Sequence, residues 1–287
     1  MQQGVFLSLH GAYSRRTGLL EDLQLARSLG YSGIEIWIHK LDHYVAGGGT
    51  LDRLARAAGP VRFTMLDVLL GIETIDRDAQ RKLQDQCRRM ARAARALGCP
   101  LLQVVALGEF RSTEREAMRG QLRAALDPLV EIAASHDVRL ALEPVSFSPF
   151  RSIADAATLV RDLGPLRIGL VLDTWHLWTG GTPWTEVAAL DRSLIVCAHL
   201  GDCQPRAGAT WCDADRTALP GDGVVPLAEA VTAIRATGFC GPWAVELLGE
   251  TQLGADPASL ARAMREHAIR LLGAYPSVAN DPPAIKP

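Results

Sequence analysis

The sequence predicts one closed, parallel (β/α)8 (TIM) barrel whose functional face lies at the C-terminal ends of the strands. Three observations predict it. Eight short apolar runs alternate with eight longer amphipathic ones. Several of the amphipathic runs stop on a glycine that leads straight into the next apolar run. No linker or low-complexity segment divides the 287 residues. Alternating elements of this kind require a parallel sheet covered on both faces. Eight repeats in about 270 residues suit a closed barrel better than an open doubly wound sheet.

In chain order, the expected strands are Val5–Leu9, Gly33–Ile38, Arg62–Val68, Leu101–Ala106, Arg139–Glu143, Ile168–Asp173, Leu194–His199 and Trp243–Leu247. Each is a short run rich in Val, Ile and Leu, as strands buried on both faces are. The helices between and after them are expected at Leu19–Leu29, Leu51–Ala58, Arg77–Leu97, Thr113–Ser135, Ile153–Leu163, Trp184–Leu190, Leu227–Thr237 and Pro257–Leu272, where apolar residues recur at helical spacing. The segments "SLGYSGIEI" around Gly30, "ALGCPLLQVV" around Gly98 and "ATGFCGPWAVE" around Gly238 share one grammar: helix end, glycine cap, strand. The barrel is expected over residues 1–274, with an irregular, Pro-rich tail at Tyr275–Pro287. The least regular interior stretch is Gly201–Val225, and loops of about 25 residues inside a compact domain are usually functional.

Composition narrows the class. Hydrophobic residues make up 48% and charged residues 22%, as in an ordinary water-soluble globular protein. The formal net charge of −2 lacks the basic excess of a non-specific nucleic-acid binder, and neither acidic nor membrane-surface character is present. The six cysteines form no C-x-x-C pair and read as reduced thiols. No signal-peptide pattern and no apolar stretch near 18 residues is found, so the expected location is the cytoplasm, with no membrane partner. A homo-oligomer is compatible with the sequence.

Four consecutive strands end in a ligand-type side chain directly after an apolar run. They are Leu-Ala-Leu-Glu143, Leu-Val-Leu-Asp173, Val-Cys-Ala-His199 and Ala-Val-Glu246. Barrel strand ends converge on one face, and adjacent strands lie ~4.8 Å apart, so the four side chains can meet at a point. Three carboxylates packed together repel unless a cation or protons neutralise them. One imidazole with three carboxylates suits a single divalent Mn, Mg, Co or Zn ion rather than a metal that prefers thiolates.

At these residues the chain resembles the xylose-isomerase-like barrel superfamily of sugar isomerases and epimerases, which also includes the apurinic endonucleases. The resemblance rests on "LEP" at Glu143, "DTWH" at Asp173–His176, "HLGD" at His199–Asp202, "VE" at Glu246 and "GYSGIEIW" in the second strand. The loop "DADRTALPGDGVVPL" (Asp213–Leu227) is most similar to inosose (2-keto-myo-inositol) isomerase-like proteins. The resemblance implies a metal-dependent isomerase or epimerase that moves a proton between adjacent carbons of a keto-sugar or keto-cyclitol through an enediolate. Glu143 and Glu246 would transfer the proton while also binding the metal, and Asp173 and His199 would be ligands only. His176, Asp202, Arg206, Arg216, Glu35 and His10 are the expected substrate contacts.

For several of these residues a second role stays open. Asp202 could instead orient His199, and Glu35 could partner an arginine. Arg206 and Arg216 could close salt bridges with Asp213 or Asp215. Related epimerases place an arginine six residues after the histidine, whereas Arg206 stands seven after His199 with Pro205 intervening. Trp37, Trp175, Trp178 and Trp211 could be walls for the apolar faces of a sugar or plain core. No Gly-rich phosphate cradle stands out near strands seven and eight, and Gly221–Gly223 reads as a turn. Two other reactions keep the same fold. A dehydratase of a keto-cyclitol or of a dehydroshikimate-like substrate would use the same ligands but needs a further base, and Ala198 stands where a lysine could. An apurinic-endonuclease-like repair enzyme needs extra histidines, where this chain has Asp67, Ala106, Asp213 and Asp215. A non-enzymatic barrel would have no use for the four-residue set.

Overall fold

The computed structural model describes residues 5–206, 208 and 210–273, so the expected tail at 275–287 lies outside it. Its eight strands form a closed barrel in sequence order, each parallel to its neighbours. The strands are β1 (Leu7–Leu9), β2 (Gly33–Trp37), β3 (Arg62–Leu70), β4 (Leu101–Val105), β5 (Arg139–Glu143), β6 (Ile168–Asp173), β7 (Ile195–Leu200) and β8 (Trp243–Val245). The helices are α1 (Leu19–Leu29), α2 (Ile38–Ala46), α3 (Leu51–Ala58), α4 (Arg77–Leu97), α5 (Arg115–Ala134), α6 (Ile153–Leu163), α7 (Thr174–Thr179), α8 (Trp184–Ala188), α9 (Leu227–Ala236), α10 (Glu250–Leu253) and α11 (Pro257–Gly273).

The local chemistry of the helices follows the sequence. Thr50, Asp76 and Ser152 cap α3, α4 and α6 by accepting from the amides of Arg53, Ala79 and Asp155. Gly30 and Gly98 end α1 and α4 in the left-handed region (φ 76° and 65°), where a side chain would be strained. Three short helices were not expected. α2 begins as soon as β2 ends and takes Ile38 from the expected strand; α7 and α10 are too short to show a period.

Two cores result from the alternation of strand side chains. The larger lies between the strands and the helix ring and includes Leu9, Ile34, Leu102, Leu140, Leu170 and Leu200. The smaller, made of Met65, Leu101, Ala141, Val171, Val196 and Cys197, fills the barrel interior. Ala141, Val171 and Cys197 stand two residues before Glu143, Asp173 and His199. A dry apolar layer therefore underlies a polar one at the C-terminal mouth. At the opposite mouth, Arg139 Nη2 donates to the carbonyls of Ile168 (3.3 Å) and Ser193 (3.0 Å).

Candidate metal centre

The register of the sheet assembles the site. Asp173 on β6 pairs with His199 on β7, and His199 pairs with Ala244 on β8, two residues before Glu246. Glu143, Asp173, His199 and Glu246 each offer a ligand atom, and these atoms all lie within 4.8 Å of one another. All four residues are buried. His199 Nδ1 is 3.1 Å from Glu246 Oε2 and 3.6 Å from Glu143 Oε1. Gln103 on β4 donates to Glu143 Oε2 (2.7 Å), while Glu143 Oε1 has no hydrogen-bond partner. One imidazole nitrogen and three carboxylates, buried, convergent and partly unpartnered, fit a divalent cation.

Burial pushes the Glu143 carboxyl up to about 7, and burial likewise raises Asp173 to about 6. For Glu246, burial acts in the same direction, but the Arg216 guanidinium overrides it and holds the group well below the usual carboxylate range. The two glutamates that flank His199 thus have opposite environments.

The other expected contacts divide into two groups. Arg216, His176 and His10 come to the cluster. Arg216 is buried and donates through Nη1 to Glu246 Oε2 (2.6 Å) and Asp173 Oδ2 (3.0 Å). Its guanidinium lies 4.8 Å from the Trp175 ring, and it also pairs with Asp213 at 3.2 Å. His176 Nε2 faces Arg216 Nη2, and its Nδ1 faces the amide (3.2 Å) and hydroxyl (3.3 Å) of Ser146. His10 Nε2 lies 3.5 Å from Asp67, 3.6 Å from Glu35 and 3.8 Å from Glu246, and its Nδ1 accepts from the Ala12 amide.

Glu35, Asp202 and Arg206 have other surroundings. Glu35 is fully buried under His199, with Oε2 3.2 Å from His199 Nε2 and Oε1 3.3 Å from Cys197 Sγ. These contacts hold its carboxylate against the edge of the imidazole opposite Glu143 and Glu246. Asp202 accepts from four backbone amides of its own loop, so no oxygen of it is left for a substrate or for His199. Burial raises its pKa against the pull of those amides. Arg206 is exposed, pairs with Asp215 and stacks over Trp211 at 5.7 Å, which gives it a place on the outside of the loop.

Two contributors have weak or shared sequence signals. Asp67 follows the apolar run of β3 as the four ligand-type residues follow theirs, and it joins His10 and Glu35. Gln103 lies in the middle of β4, where a polar residue in an apolar run is the only clue. The four tryptophans also divide. Trp175, Trp178 and Trp211 pack with Cys203, Val225 and Leu227 into a small core that anchors the Gly201–Val225 loop, and Trp37 is half-buried beside His39.

Comparison with known proteins gives one consistent result. An inosose isomerase of Halalkalibacterium halodurans is 27% identical over 253 residues, covering 84% of this chain and 88% of that protein. An L-ribulose-5-phosphate 3-epimerase of Escherichia fergusonii is 23% identical over 269 residues, covering 86% and 87%. The crystal structure of the IOLI protein with a bound zinc atom superposes with a TM-score of 0.88 at 23% identity, over 97% of this chain and 100% of that one. The xylose isomerase-like TIM barrel family matches residues 23–271. With that span matched and the closed barrel in place, the chain belongs to the xylose isomerase-like TIM barrel family.

Proposed function

We propose that the chain is a divalent-metal-dependent isomerase or epimerase acting on a keto-sugar or keto-cyclitol. The observation that carries this reading is the convergence of Glu143, Asp173, His199 and Glu246 within 4.8 Å, buried, on four consecutive strand ends. Relatives that isomerise inosose or epimerise L-ribulose 5-phosphate, all at low identity, support the reaction class. When held by these four residues, a divalent ion supplies Lewis acidity at the substrate carbonyl and balances the charge of an enediolate.

The protein's own groups supply the rest. Glu143 and Glu246 both approach His199 Nδ1 from different strands, at 3.6 and 3.1 Å, and are assigned to proton transfer at a carbon held between them. Arg216 holds Glu246 below and burial pushes Glu143 above the usual carboxylate range, so with both ionised to hold the ion Glu143 is the stronger base of the two. Their different environments separate the two glutamates as the groups for proton abstraction and proton return. Arg216 and His176 are the donors nearest the carboxylates and are assigned to the substrate hydroxyls.

Metal analysis of the purified protein, followed by a panel of keto-sugars and keto-cyclitols with wild type and Glu143→Gln side by side, tests the reading. One divalent ion per chain and isomer formation are expected. The glutamine variant should lose at least ~100-fold in rate, as for removal of a positioned acid or base. Release of water without isomer would replace the reading with a dehydratase, and metal-free protein that turns over nothing would overturn it.

A further inference from the structure

Two loops on the catalytic face turn runs of backbone N–H groups toward a common point. In both, a carboxylate of the chain itself fills that point. In the loop after β7, Asp202 Oδ1 accepts from the amides of Cys203 (2.9 Å) and Val225 (3.0 Å), and Oδ2 from those of Gly221 (2.9 Å) and Gly223 (3.0 Å). A Cβ at Gly223 would run into the Asp202 carboxylate, so this backbone approaches the carboxylate only as glycine. In the loops after β3 and β4, Glu73 Oε1 accepts from the amides of Leu107 (2.9 Å), Gly108 (2.6 Å) and Glu109 (3.0 Å). Both carboxylates are buried, Asp202 fully and Glu73 at 1% exposure.

Clusters of convergent amides are what proteins use to hold phosphate, and in barrels the loops after strands seven and eight are the usual place. We propose that Asp202 and Glu73 occupy these nests as internal substitutes for an anionic ligand, and that the site therefore selects uncharged keto-polyols over their phosphate esters. The remaining charges agree. The two arginines that the loop after β7 provides are both engaged, Arg206 with Asp215 and Arg216 with Asp173, Asp213 and Glu246. This inference rests on the isomerase reading for the kind of substrate, while the filled nests stand apart from it.

The test has one arm on binding and one on turnover. Thermal melts of the full-length wild type in inorganic phosphate, at constant ionic strength against chloride, are expected to show no shift specific to phosphate. Asp202→Ala frees four amides; its melting temperature is expected to fall and to recover by at least half in millimolar phosphate but not in chloride. Glu73→Ala is expected to do the same at its own nest. In the turnover arm, kcat/KM for a keto-cyclitol or ketohexose is expected to exceed that for a ketopentose 5-phosphate by at least tenfold. Saturable stabilisation of wild type by phosphate, folded variants that ignore phosphate, or a preference for the phosphorylated ketose would each overturn the proposal. If neither variant folds, the wild-type phosphate titration alone decides it. Absence of turnover on every substrate would remove the isomerase reading and leave the binding arm to decide the nests.

Discussion

His199 is addressed from both ring nitrogens: Nδ1 faces Glu143 and Glu246, and Nε2 faces Glu35. Burial opposes protonation of this ring, and Glu35, with Cys197 and Glu143, more than reverses that effect. Replacing Glu35 with Gln keeps the shape and removes the charge that fixes the imidazole. Zinc affinity by isothermal titration is expected to fall 10- to 100-fold, the range for loss of a ligand's orienting partner. An unchanged affinity would show that Glu35 is merely buried. Arg216→Met is expected to act in the opposite direction. The guanidinium contacts two of the four ligand residues, and a fixed positive charge there repels a divalent ion. Its removal should tighten zinc binding at least tenfold in the same titration, and weaker binding would refute the idea.

The residues differ in how readable they were from sequence. Glu143, Asp173, His199 and Glu246 come together because each ends an apolar run on a neighbouring strand, and periodicity exposes that. Which of Arg206 and Arg216 turns inward depends on how Trp175, Trp178 and Trp211 fold the loop, and no count of residues from His199 contains that information. For Asp202 and Glu35 the sequence leaves substrate contact and a structural partner both open, because their depth is set by partners distant in sequence: Gly221–Val225 for one and Cys197 for the other.

At the scale of elements, the long helices were legible from caps and period, and the short ones were not. α7 exists because Asp173 accepts from the His176 amide at 2.7 Å, a cap whose strand-end setting hides it. Contacts between helices were equally hidden. Asp155 at the start of α6 accepts from Arg115 Nε (2.6 Å) and Arg119 Nη1 (2.7 Å) on α5. Burial raises the Asp155 carboxyl, and its two arginine partners more than reverse this, leaving it below the ordinary value. The sign follows: a carboxylate depressed in the folded state contributes stability above its unfolded pKa and loses it as pH falls through the folded one. Asp155→Asn should therefore cost about 1–2 kcal/mol at pH 7, an estimate lowered because Arg115 is largely exposed. The difference from wild type should shrink as the pH falls below ~4, the ordinary Asp value. Urea denaturation across that range measures it, and a gap that holds constant with pH would rule out the ion pairs as its source.

At the scale of the molecule, alternation and spacing made the closed barrel readable, because each βα unit repeats the same signals. The seam was not readable. β1 and β8 are each three residues long and meet over only two paired positions, Leu7 with Trp243 and Ser8 with Ala244. Glu246 stands just beyond this seam, and the other three ligand-type residues stand on β5, β6 and β7. An ion held by all four would tie β8 to three longer strands. Zinc at 100 times its dissociation constant should stabilise the fold by about 2.7 kcal/mol. Melting with zinc and with chelator compares the two states; a transition that ignores zinc, in protein shown to contain it, would count against the centre.

The small core around Trp175 has an optical consequence. Three of the six tryptophans lie within it: Trp175 and Trp178 belong to α7, and Trp211 belongs to the loop that carries Arg216. A guanidinium 4.8 Å from the Trp175 ring makes that indole's emission sensitive to where Arg216 sits. The protein thus carries its own fluorophore where the loop meets the carboxylates, and a change of emission on Arg216→Met, measured against wild type, reads that contact without any attached label.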